Sequence, residues 1–224
     1  MGKITALKPA IKTENRVNVF LDHEFSFSLD LTQVVDFSLK VGKILTPAEI
    51  EKLKRASIFG KLYTSTLEWV LTRPHSTKET RDYLHRKLFR RATLNKKRER
   101  ENLSPFELFS EEDIESVIKK LTEKNYLNDE KFAKFYVENR NFKKGISARR
   151  LREELGKKGI APEIINLVLE TSARNQETEI EKVIEKKGKK YNSPEKLLAY
   201  LLRQGFPYDL AKSKVSELNL PPAL

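Results

Sequence analysis

Three stretches of this chain follow one pattern: STKETRDYLHRKLF (76–89), SARRLREELGKKGI (147–160) and SPEKLLAYLLRQGF (193–206). Aligned on Ser76, Ser147 and Ser193, the fourth residue on is Thr80, Leu151 or Leu197, and the eighth is Leu84, Leu155 or Leu201. That spacing places two residues on one helical stripe. The twelfth is Leu88, Gly159 or Gly205, followed by Phe89, Ile160 or Phe206. A glycine there can take the left-handed conformation that ends a helix, and the next apolar residue packs back beneath it. Leu88 cannot do this cheaply, which predicts a first helix that runs on. Each copy has a helical segment before it and another after it. The repeating unit is therefore three helices in roughly 45–50 residues, too thin to bury its stripes unless stacked on a neighbour.

The segment before the repeats has a different period. RVNVFLDHEFSFSLDL alternates, with Val17, Val19, Leu21, Phe25, Phe27 and Leu29 on one side and Asp22, His23 and Glu24 at the turn. This predicts a β-hairpin. ITALKPAI before it is expected to add an edge strand interrupted at Pro9. TQVVDFSL predicts a short helix ended by Gly42. Thr46, Pro47 and Glu49 predict a capped helix start, KLYTSTLEWVLT a further helix with Leu62, Leu67, Val70 and Leu71 on one side, and Arg73-Pro74 its stop. Ser76 and Glu79 cap the next helix, expected to reach about Arg90. Residues 92–109 break the rhythm as either a long loop or an exposed helical extension. The tail NLPPAL ends the helical part.

The expected fold is mainly α: a tandem array of three three-helix repeats forming a curved, elongated molecule, with a small N-terminal β-hairpin segment. The boundaries are 1–45 for the hairpin segment and short helix, 46–122 for the first repeat with its basic insertion at 92–109, 123–172 for the second repeat and 173–224 for the third.

Charge narrows the function. Lys and Arg number 44 against 32 Asp and Glu, a net +12, which favours a polyanionic or acidic partner. There is no cysteine, which excludes disulfides and thiolate metal sites and fits a reducing compartment. No apolar run is long enough to span a membrane. MGKITALKPAIKTENR lacks the apolar core of a secretory signal. A cytoplasmic, monomeric protein is expected.

The middle copy carries a resemblance. LTEKNYLNDEKFAKFYVENRNFKKGISARRLREELGKKGI (121–160) is similar to the RecX regulatory proteins of bacteria. Its Tyr126-Leu127, Asp129-Glu130, Phe132-Ala133, Tyr136-Val137, Arg140, Lys143-Lys144-Gly145, Leu151, Leu155 and Lys158-Gly159-Ile160 follow that family's order. LTRPHSTKETRDYLHRKL resembles the family's first repeat, and the hairpin, more loosely, an extra β-segment of longer members. The resemblance covers roughly residues 45–215. Asn128 stands where an Asp is usual and keeps the capping role. The basic insert around Lys96–Arg100 is a second departure. The resemblance implies a modulator, usually an inhibitor, of the RecA recombinase, acting in DNA repair and the SOS response. Such a protein binds in the groove of the RecA filament on DNA, limits ATP hydrolysis and strand exchange, and also binds single- and double-stranded DNA directly.

The cations concentrate. Between 140 and 158 stand Arg140, Lys143, Lys144, Arg149, Arg150, Arg152, Lys157 and Lys158, opposed only by Glu153 and Glu154. This group is the expected DNA- or recombinase-binding surface, lining one side of the array. Lys96, Lys97, Arg98 and Arg100 are the second candidate group, read either as a DNA-reaching arm or as a charged loop. Phe132, Phe135, Tyr136 and Trp69 sit at helical spacing among aliphatics and read as core, whereas Phe142 beside Lys143 could stack on bases. His23, His75 and His85 lack metal-ligand spacing. No nucleophile elbow, phosphate-cradling Gly-Lys loop or cofactor fingerprint occurs. No enzymatic activity, metal or cofactor is expected. The alternative reading is a DNA-binding protein that needs no recombinase.

Overall fold

The structure, a computed structural model, describes residues 1–11, 15–191 and 193–218. The NLPPAL tail, 219–224, lies outside the described residues. The chain divides into two compact units: residues 1–73 with 81–126, and residues 74–80 with 127–224.

The first unit opens with a sheet. Strands β1 (Gly2–Pro9), β2 (Arg16–Leu21), β3 (Glu24–Asp30) and β4 (Ile44–Leu45) are antiparallel in the order β3-β2-β1-β4. The hairpin turn has Asp22 and His23 both at positive φ, 48° and 74°, the handedness that matches strand twist. β1 is not an edge strand. It lies between β2 and β4, and Pro9 ends it rather than interrupting it. β4 has only two residues, too short to show a period. Phe25 was expected to point inward with Phe27 and Leu29, yet it is exposed, because a bulge between Val19 and Phe20 shifts its register. Ile4, Val19, Phe27, Leu29, Leu45 and Leu53 form the core beneath the sheet.

Helix α1 (Leu31–Asp36) starts at an Asp30–Gln33 capping box and stops at Phe37. Gly42 does not end it; at φ 91° it turns the chain toward β4. The two segments expected after Leu45 form one 24-residue helix, α2 (Pro47–Val70), capped by Thr46 and Glu49. Gly60 inside it allows close approach, since a Cβ there would lie 3.0 Å from Gln33 Oε1. Leu71 is its exposed C-cap. Helix α3 (Thr77–Arg100) overruns the expected end at Arg90, so the first half of the insertion is the exposed helical extension. The return segment is tied along it. Asn95 Nδ2 donates to the Phe106 carbonyl at 2.8 Å, and the Phe106 N–H donates back to Asn95 Oδ1 at 2.7 Å. Helix α4 (Glu111–Glu123) follows a Ser110–Asp113 capping box.

The second unit holds two three-helix copies: α5 (Asp129–Asn139), α6 (Ala148–Lys157) and α7 (Pro162–Thr171), then α8 (Gln176–Lys187), α9 (Pro194–Arg203) and α10 (Tyr208–Ser216). Each has its own core. In one, Phe132, Val137, Leu151, Leu155, Ile160 and Ile165 meet. In the other, Ile180, Val183, Leu197, Leu201, Phe206 and Val215 do. The aligned leucines of α6 and α9 thus occupy matching places. Phe132 is fully buried, and Phe135, Tyr136 and Trp69 are partly so.

Candidate partner-binding site

The repeated Ser and Gly positions build the scaffold of the site. Ser147 accepts from the Arg150 N–H at 3.2 Å, capping α6, and its hydroxyl donates to the Gln204 carbonyl at 2.6 Å. Ser76 accepts from the Glu79 N–H at 3.0 Å and donates to the Lys158 carbonyl at 2.8 Å. Lys158 and Gln204 are the C-caps of α6 and α9. The start of one middle helix therefore rests on the end of the next, so their dipoles meet head to tail. A second bond repeats as well: Thr77 N–H donates to Asp129 Oδ1 at 2.7 Å, and Ala148 N–H donates to Gln176 Oε1 at 2.9 Å. Gly159 and Gly205, at φ 79° and 90°, leave room for this approach. A Cβ at Gly159 would lie 2.8 Å from the Lys78 side chain, and one at Gly205 would lie 2.9 Å from Ser147 Oγ.

This scaffold holds the loop that carries Arg140, Lys143 and Lys144. Arg174, almost wholly buried, donates to Glu179 at 3.0 Å, to the Arg140 carbonyl at 2.7 Å and to the Glu138 carbonyl at 3.1 Å. Buried Glu179 also accepts from the Ile146 N–H at 2.9 Å and pairs with Lys182 at 2.8 Å. The loop is thus clamped at both ends. Between the clamps, the Lys144 and Gly145 N–H groups both donate to the Asn141 carbonyl, at 2.8 and 3.0 Å. Gly145, at φ 74°, passes so close to the Glu179 carbonyl that a Cβ would lie 2.2 Å from it.

The predicted cations divide into those that hold structure and those that face outward. Arg140 is committed. It makes a two-pronged pair with Glu154 at 2.7 and 3.0 Å, and the Tyr136 hydroxyl donates to the same carboxylate at 2.7 Å. The Arg140 bond holds the Glu154 carboxyl below its usual range. Burial, with the bond to Glu154, pushes the Tyr136 phenol up to about 12. Lys158 pairs with Glu79, Arg149 with Glu153 at 3.1 Å, and Arg150 donates to Gln204 Oε1 with Glu154 3.7 Å away. Lys143, Lys144, Arg152 and Lys157 are exposed, and their side chains make no ion pair among the described residues.

The second candidate group lies on α3 in the first unit. Lys96, Lys97 and Arg100 are exposed. Arg98 donates to the Ser104 carbonyl at 2.6 Å and lies 4.4 Å from the Phe106 ring centre, so it fastens the return segment.

Three cations were missed. Lys144 and Arg150 share a cleft of about 400 Å³ with Lys186, Lys187, Tyr200 and Gln204, and no Asp or Glu among the described residues lines it. Lys182 borders the neighbouring cleft with Phe142 and Arg174. The signal lay in the Lys-Lys pair that ends α8, one copy beyond the window in which charge was counted.

Comparison with known proteins decides the family. A family described as "Regulatory protein RecX N-terminal domain" matches residues 2–46, and "RecX, second three-helix domain" matches residues 128–169. A regulatory protein RecX of Listeria monocytogenes is 31% identical over 96% of this chain and 75% of its own. The chain belongs to the RecX family. A RecX of Listeria welshimeri is 32% identical over 94% of this chain and 74% of its own, and one of Bacillus licheniformis is 30% identical over 98% and 78%. The RecX fold is shared as well. A crystal structure of regulatory protein RecX superposes with a TM-score of 0.69 at 21% identity, covering 97% of this chain and all of that one. The RecX of Lactobacillus salivarius superposes at 0.52 over 72% of this chain and 96% of its own. No helix among the described residues is long and apolar enough to cross a membrane.

Proposed function

We propose that this chain is a non-catalytic regulator of a RecA recombinase filament, acting as a cytoplasmic monomer in DNA repair and the SOS response. It binds the filament and its single- or double-stranded DNA and restrains ATP hydrolysis and strand exchange. Membership of the RecX family, whose named relatives are regulatory proteins, carries this reading. The outward cations at Lys143, Lys144, Lys186 and Lys187 support it, because a filament on DNA offers both phosphates and carboxylates. Restraint needs no chemistry: stronger binding to one filament state shifts the equilibrium toward it.

The test is the rate of ATP hydrolysis by a recombinase filament on single-stranded DNA as this protein is added. The rate is expected to fall, and to stay low when DNA is in large excess. Inhibition that vanishes with excess DNA would support the other reading, a DNA-binding protein that merely competes for the strand. Replacing Lys143, Lys144, Lys186 and Lys187 with alanine is expected to weaken binding and to flatten its salt dependence by roughly 3 logarithmic units per unit of log salt, as loss of four phosphate contacts to a single strand does.

A further inference from the structure

Phe142 is more exposed than Tyr208, the other exposed aromatic residue among the described residues of the second unit. It sits at the tip of the clamped loop, 62% exposed, and lines the cleft of Arg174 and Lys182, while its loop neighbours Asn141 and Lys144 line the cleft of Lys186 and Lys187. Lys182 lies 5.0 Å and Arg174 5.9 Å from its ring centre. Those two cations lie within cation–π range of the ring, yet most of it stays open to solvent. The clamp has already met the ordering cost of the tip. Arg174 and Glu179 fix its two ends, and the paired N–H bonds to the Asn141 carbonyl fix its turn. A solvent-facing ring on a held loop, next in sequence to Lys143 and Lys144, with Lys144 lining the cleft of Lys186 and Lys187, matches a ligand with both flat faces and regularly spaced negative charge. A duplex hides its base faces; a single strand does not.

We propose that this tip is a stacking site for single-stranded polynucleotide. One base lies on the Phe142 ring, and the adjoining phosphates run into the cleft formed by Lys144, Arg150, Lys186 and Lys187. The assignment rests on the reading that the chain binds nucleic acid and names the place and the strandedness. The Phe142 ring has no hydrogen-bonding group for a 2′-hydroxyl, so the stacking contact is the same for DNA and RNA single strands.

The experiment uses the full chain and fluorescence anisotropy with labelled oligothymidylate, oligouridylate and a mixed-sequence duplex. Phe142→Ala is expected to weaken both single strands about tenfold, within the range for one lost stacking contact. Duplex affinity and the salt slope stay unchanged, because no charge is removed. Phe142→Trp keeps single-strand affinity. Lys144→Ala with Lys187→Ala lowers the single-strand salt slope by roughly 1.4. The ring is exposed, so Phe142→Ala folds as the parent does. Unchanged single-strand affinity in Phe142→Ala, with the parent still binding DNA and slowing the recombinase, overturns the stacking site and leaves the proposed function standing. Equal loss for duplex and single strand also overturns stacking. A parent chain with no affinity for either single strand overturns both.

Discussion

Replacing each of the three aligned serines in turn tests whether they join copies or only cap helices. Ser147→Ala removes the acceptor for the Arg150 N–H, a cap worth about 1 kcal/mol. It also leaves the Gln204 carbonyl without its donor at a site where Ser147 is 1% exposed, which costs about 1–3 kcal/mol. The expected loss is about 2–4 kcal/mol. Ser76→Ala removes the same two bonds, to the Glu79 N–H and the Lys158 carbonyl, and should cost about as much. Ser193 caps α9 by accepting from the Lys196 N–H at 3.3 Å, and no junction bond from it exists among the described residues. Ser193→Ala should therefore cost only the cap, about 1 kcal/mol. Glycine at the same positions narrows the cap difference to a few tenths of a kcal/mol. Ser147→Gly minus Ser193→Gly then approximates the junction bond alone. Hydrogen exchange at the amides of Leu151, Leu155, Leu197 and Leu201 under increasing urea reads the stability of the unit that carries all three serines. Equal losses for Ser147→Ala and Ser193→Ala would show that the serines are local caps and that the recurring pattern has no part in joining copies.

Three further substitutions probe the loop, one beside it, one within it and one as its control in the first unit. The Glu154 carboxyl has a depressed folded pKa, so its stabilisation is complete above its unfolded value of about 4.3 and is lost as pH falls through the lower folded value. Tyr136 is the mirror case: raised to about 12, its contribution is complete below an unfolded value of about 10 and is lost as pH climbs toward the folded one. Glu154→Gln should flatten the acid limb of a urea-midpoint-against-pH curve and bring the tyrosine absorbance titration to lower pH; an unchanged titration would mean that Glu154 does not hold the phenol. Gly145→Ala, at positive φ and with its Cβ 2.2 Å from a backbone oxygen, should displace the loop and destabilise it by more than the about 1–3 kcal/mol that the left-handed conformation alone costs. Gly42→Ala, also at positive φ but with nothing within 4 Å, should show only that conformational cost, and similar losses at the two positions would contradict the tight passage under Glu179.

Much of the fold was legible because the periods are clean. The hairpin alternates by two, and the helix starts carry caps that the structure reproduces at Thr46, Ser110, Ser147 and Ser193. The errors came where a local signal was outweighed by a distant contact. The segments on either side of Gly60 read as two helices, but they form one, in which Gly60 leaves room for the Gln33 side chain from α1. Phe25 reads as core until the bulge at Ser26 of its own strand, opposite Val19 and Phe20, is known. The site was less legible than the fold because charge counted along the chain says nothing of pairing. Glu79 neutralises Lys158 across 79 residues, and Glu154 holds Arg140 across 14. Both pairs engage cations at the surface that position along the chain alone leaves unpaired.

The recurring pattern has a physical reason that local helix chemistry does not supply. A glycine exit ends a helix wherever one is needed, and a serine cap starts one. Neither requires the two to recur at fixed separation. The structure joins them across copies: the serine that starts α6 bonds to the carbonyl just before the glycine that ends α9, and the serine that starts α3 does the same at the end of α6. Each glycine is small because the serine-bearing turn of the preceding copy lies over it. Leu88 then follows directly. Among the described residues a sheet and a short helix, rather than another three-helix copy, precede the first, and at Leu88 the helix α3 runs on to Arg100. The same logic fixes the loop 140–146. It leads into the Ser147 junction, so it must be held, and the Arg174–Glu179 clamp that holds it leaves Phe142, Lys143 and Lys144 as a fixed outward tip. A partner-facing surface is thus a by-product of joining copies, and it belongs at the junction rather than on the face of any one helix.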